Sequence, residues 1–128
     1  MRIRFSLYGT IEDISELRQN CLFFGQASPV LSTNADAVFS FLPGDGASPI
    51  SFNFSKQGKI WACSGVATID CARDGCLFLA RYLCVIGVLD SAAARGMTVA
   101  VSDDGGFWQG RNVEALMRFK QATDSLVK

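Results

Sequence analysis

Between Asp74 and Asp90 the chain runs Cys76-Leu77-Phe78-Leu79-Ala80-Arg81-Tyr82-Leu83-Cys84-Val85-Ile86-Gly87-Val88-Leu89, with Arg81 its only charge. Wound as a helix, this stretch is apolar nearly all round, and such a helix must be buried on more than one side. It is well short of the roughly 20 apolar residues needed to span a membrane. A buried central helix is therefore expected, started by Asp70 or Asp74, running to about Arg95 and stopped at Gly96. The rest of the chain has to supply its walls.

Those walls read as strands. Ile3, Phe5 and Leu7 alternate with Arg2, Arg4, Ser6 and Tyr8, the period-two pattern of a half-buried strand. Gly9 ends it. Thr10 then caps a helix, with Asp13 as its capping-box partner and Ile11, Ile14, Leu17, Cys21 and Leu22 at helical spacing. Glu12, Asp13 and Glu16 suit the positive end of its dipole, and Gly25 is a stop. Gln26 to Asp36 has turn residues without periodicity and is expected to be a loop. Three strands follow: Ala37 to Leu42, a second in which Ile50, Phe52 and Phe54 alternate with Ser51, Asn53 and Ser55, and a third from Ile60 to about Thr68. The short turns Pro43–Gly46 and Lys56–Lys59 make this an antiparallel meander. After the central helix come a last strand, Met97 to Ser102, and a final amphipathic helix capped by Asn112 and marked by Val113, Leu116, Met117 and Phe119.

The order β-α-β-β-β-α-β-α predicts an α+β fold, a mainly antiparallel five-stranded sheet with helices packed on one face. With 49% hydrophobic and 19% charged residues in 128, there is enough apolar surface to offset chain entropy in one globular domain over residues 1–128. The N-terminus lacks the uninterrupted apolar run of a signal peptide. Five cysteines, an odd number in mostly apolar surroundings, do not form the framework of a secreted mini-domain, so a cytoplasmic location is expected.

The chain contains no histidine, which removes Ser-His and Cys-His pairs, an imidazole base and histidine metal ligands. Neither a phosphate-cradling glycine motif nor a C-x-x-C pair occurs, so no cofactor and no metal is expected. Twelve Lys plus Arg balance twelve Asp plus Glu, and a net charge of zero gives no field to draw nucleic acid or a membrane surface.

Four features remain as candidates. Asp103 and Asp104, followed by two glycines, could bind a cation or act as acid and base; they also suit an ordinary turn at a strand end. Phe107, Trp108 and Arg111 are residue types that dominate binding hot spots, unless Trp108 folds back as a lid on the core. Arg81 must pair, snorkel or line a polar pocket. Cys71 lies near a helix start beside Arg73, which lowers a thiol pKa, though Asp70 and Asp74 oppose that and Cys71 could simply pack. The leading reading is a non-catalytic protein-binding module, an inhibitor or immunity-type partner, using the Phe107–Arg111 and Gln26–Asp36 loops. The alternative is a small-molecule-binding protein or enzyme using Asp103, Asp104, Arg81 or Cys71. A second alternative is a homodimeric structural protein with an exposed sheet face or edge as its interface.

Overall fold

A computed structural model describes residues 2–69, 77–104, 107–112, 114 and 117. The strands are β1 (Arg2–Gly9), β2 (Gln26–Ala27), β3 (Leu31–Ser32), β4 (Asp36–Leu42), β5 (Ile50–Gln57), β6 (Ile60–Thr68) and β7 (Thr98–Asp103). The helices are α1 (Ile11–Cys21), α2 (Phe78–Ala94) and the short α3 (Phe107–Gly110). The fold is α+β, built on one open antiparallel sheet of order β2-β4-β5-β6-β1-β7, with β3 also beside β4.

Seven strands replace the five expected. The two extra strands, β2 and β3, are two-residue pieces inside the segment 26–36 that reads as a loop, and both pair with β4. Two residues cannot display a period, so only the neighbouring strand reveals them. Arg18 supports this margin, its guanidinium donating to the carbonyls of Ala27 at 3.1 Å and Ser28 at 3.0 Å.

Chain direction explains why the longest helix stands where it does. β6 and β7 both run antiparallel to β1, which lies between them, so they are parallel to each other. A parallel relation needs a crossover back along the sheet, and α2 is that crossover. α1 is fixed at its start by the expected capping box: the Asp13 N–H donates to Thr10 Oγ1 at 3.2 Å, and the Thr10 N–H donates to Asp13 Oδ2 at 2.9 Å. α2 begins at Phe78 with no side-chain cap. The expected caps Asp70 and Asp74 lie outside the described residues, as do most of the markers of the final helix.

One set of alternating side chains in every long strand is buried and the other is not. Ile3, Phe5 and Leu7 of β1, Phe39 and Phe41 of β4, Ile50, Phe52 and Phe54 of β5, and Trp61 and Cys63 of β6 form the buried face. Phe39 stacks on Phe52 at 4.9 Å between centroids, and Phe5 meets Phe52 at 5.3 Å. Ile14 and Leu17 of α1 close this core with Tyr82, Val85, Ile86 and Leu89 of α2. Both helices therefore serve the same face. Among the described residues no helix is long and apolar enough to cross a membrane.

Candidate functional site

Asp103 and Asp104 end β7, and the strand's alternation sends them to opposite sides. Asp103, cross-strand from buried Ile3, accepts from the N–H of Phe107 at 3.2 Å and the N–H of Trp108 at 2.9 Å. Its carboxylate thereby starts the helical turn α3 in a segment that sequence alone reads as a loop. It also faces Tyr82, whose hydroxyl is fully buried; that burial, reinforced by the Asp103 charge, raises the phenol pKa well above 10.0. Asp104 turns the other way. It takes the N–H of Arg2 at 3.0 Å and faces the Arg4 guanidinium at 3.8 Å, tying the end of β7 to the start of β1. The two carboxylates therefore share no ligand. Among the described residues no three Cys, Asp or Glu side chains gather to hold a metal.

The residues after them form a clamp. Phe107 is buried with its ring edge-on to Tyr82 at 6.0 Å. Trp108 is half-buried against the core, between the anchor and the lid that its sequence context allows. Arg111 lies over the indole at 4.7 Å, donates from Nε to the Trp108 carbonyl at 2.9 Å, and grips Asp90 of α2 through two bonds of 2.7 Å. That grip raises the already high pKa of Arg111. Phe107, Trp108 and Arg111 thus fasten the end of the sheet to α2, using much of the hydrogen-bonding and stacking capacity that would make them anchors for a partner.

Arg81 is buried in the fold, its guanidinium donating to the carbonyl of Asp45 in the β4–β5 turn. With Pro43, Gly44, Leu77, Ala80 and Cys84 it lines an open groove of about 320 Å³. This partner of Arg81 is thus a backbone carbonyl of the turn and not a carboxylate, and the groove is lined mostly by apolar side chains. The groove lies between the β4–β5 turn and the start of α2, and neither Asp103 nor Asp104 lines it. Cys71 lies outside the described residues. Cys21 and Cys63 are buried free thiols, and burial raises their pKa to about 12 and about 11.

A larger groove than that of Arg81 lies elsewhere, on the face of the sheet that carries no helix. A groove of about 500 Å³ crosses β6, β1 and β7 between Ser64, Ser6 and Ala100, bordered by Arg4, Val66 and Ser102. Register explains its shape. Ser6 is cross-strand from both Ser64 and Ala100, so one row is uniformly small, while the rows on either side carry Tyr8 and the Arg4–Val66 pair. The Ser6 and Ser64 hydroxyls lie 3.3 Å apart and hydrogen-bond to each other. Exposed large apolar residues collect on this face: Tyr8, Val38, Ile60 and Val66, with Leu31 cross-strand from Val38. No single candidate residue marks it in the sequence. The available signal was what stands in the solvent-facing positions of the meander, Ser51, Asn53, Ser55 and Ser64, where a solvated sheet face ordinarily carries charge.

Comparison with protein-family models, with curated proteins and with solved structures finds no match to this chain.

Proposed function

We propose that residues 1–128 form one non-catalytic protein-binding domain, and that its docking surface is the helix-free face of the sheet. The observation that carries this reading is a helix-free face that exposes Tyr8, Leu31, Val38, Ile60 and Val66, spaced among Ser, Asn and Ala side chains around a groove of about 500 Å³. An inhibitor or immunity-type role suits a module of this kind, because it acts by covering a partner and needs no reacting group. The Phe107–Arg111 corner is a secondary contact at most, since Arg111 already covers the indole of Trp108.

The same face argues against nucleic acid as the partner. Its Arg4 lies against Asp104, Asp36 offsets the charge of Arg2, and the chain carries no net charge to neutralise phosphates. The rival reading, a small-molecule site or enzyme using Asp103, Asp104, Arg81 or Cys71, finds the first three engaged in different places, and Cys71 lies outside the described residues.

A photocrosslinking side chain in place of Asn53, exposed on β5, is expected to capture protein in cells, whereas one in place of Gln109 beside Trp108 is expected to capture none. Adducts from Gln109 alone would move the docking surface to the corner. Silence at both positions would sink the protein-binding reading.

A further inference from the structure

We infer that the partner on this face is a second copy of the same chain, packed sheet on sheet about a two-fold axis. The inference rests on the docking reading above and names its occupant.

Relief is the first argument. A two-fold contact brings one patch against itself, so the patch must offer both a ridge and the hollow that receives it. Here the hollow is the row of Ser64, Ser6 and Ala100, and the ridges are Tyr8 and Val66, 41% and 49% exposed. At about 500 Å³ the hollow has room for the Val66 or Tyr8 side chain of a facing copy. Face-to-face sheets interdigitate side chains in this way at a separation of roughly 10 Å.

Charge is the second. Two identical faces repel when each carries an excess of one sign. On this face Arg4 and Asp104 sit 3.8 Å apart, Arg2 starts β1 beside them and Asp36 starts β4, so its two cations and two carboxylates balance, and the whole chain is neutral. A copy therefore meets no field opposing it, while a strongly charged partner of either sign finds nothing complementary.

Area is the third. Five long strands about 4.8 Å apart and roughly seven residues long make a face about 25 Å square, some 600 Å² in projection. Side-chain relief makes its accessible area larger than that projection. This approaches the roughly 800 Å² that each partner contributes to a standard stable interface.

Sedimentation equilibrium tests the inference on the full chain. The wild type is expected to sediment at twice 13.8 kDa at micromolar concentration. Val66→Lys and, separately, Ser102→Lys are expected to weaken dimerisation about 100-fold or more, because each buries an unpaired charge between the faces. Both positions are on the exposed face, so circular dichroism should report unchanged folding; if one variant unfolds, the other still decides. Ser15→Arg, exposed on α1 in the opposite layer, should leave the dimer intact. A wild type that stays monomeric to about 100 μM overturns the inference, since an interface of standard size binds more tightly. A dimer indifferent to both lysines overturns it as well. A monomer whose Asn53 crosslinker nevertheless captures a different protein would reject the second copy while leaving the docking face in place.

Discussion

Among the described residues Arg111 is the one non-glycine with positive φ, at 54°. Left-handed backbone costs an L-residue roughly 1–2 kcal/mol. The fold accepts that cost because this turn returns the guanidinium over Trp108 and onto Asp90. Two substitutions separate the terms. Arg111→Ala loses the stack and the ion pair but keeps the strained backbone, and chemical denaturation should show a loss of about 1–2 kcal/mol. Arg111→Gly loses the same contacts but relieves the strain, so it should be more stable than the alanine variant by about 1 kcal/mol. Equal stabilities would show that the conformation carries no strain. Gly65 is constrained oppositely, by space: a Cβ there would lie 2.7 Å from Cζ of Phe5, its cross-strand neighbour. Gly65→Ala should cost about 1–3 kcal/mol through displacement of that ring, and Phe5→Leu in the same chain should recover part of it. Sequence does single out Asp103 with Asp104, and beside them Phe107, Trp108 and Arg111. Their division of labour was not legible, because Asp90, the carboxylate that claims Arg111, is 21 residues away.

At the scale of elements, local chemistry was legible and long-range pairing was not. Thr10 and Asp13 are three residues apart, so the capping box that starts α1 can be read directly and is formed. Thr10→Ala should cost about 1 kcal/mol, measured by urea unfolding, and a loss under about 0.3 kcal/mol would mean the cap is redundant. The alternation of β1 and β5 is likewise visible, because each strand contacts the core on one side. β2 and β3 are each two residues long and exist only through their pairing with β4. The apolar run of α2 foretells burial on more than one side, and that side-by-side burial is uneven. Leu89 is 1% exposed, whereas Leu83 is only half-buried against the core and Leu77 is 49% exposed. Leu89→Ala should therefore cost about 2–5 kcal/mol, the range for a closed core, and Leu83→Ala clearly less. The reverse order would place the wrong side of α2 against the sheet.

For the whole molecule, one layer of helices over one sheet leaves a second sheet face, as the expectation of helices on one side implies. Composition does foretell a neutral, apolar-rich body, and the buried thiols of that body set its response to alkali. Cys21 and Cys63 ionise in the fold only at about 12 and about 11, burial being the first cause for both, against an ordinary value of 9.0. The Arg18 charge offsets only part of this at Cys21. Below pH 9 the folded and unfolded chains both hold these protons, so the two thiols exert no pull on stability. Above it the unfolded chain releases them first, and each further pH unit favours unfolding until the folded thiols ionise in turn. Each should remove on the order of 1 kcal/mol per pH unit across that window. Tyr82, raised above its ordinary 10.0, adds to the loss at the upper end. Unfolding free energy from urea titrations should thus show no thiol-driven slope from pH 7 to about 9 and then fall steeply toward pH 11. Cys21→Ala lowers stability at every pH by leaving a cavity, but its slope above pH 9 should be shallower than that of the wild type. An unchanged slope would mean that Cys21 reaches solvent without unfolding, contrary to its position at the seam of α1 and the core.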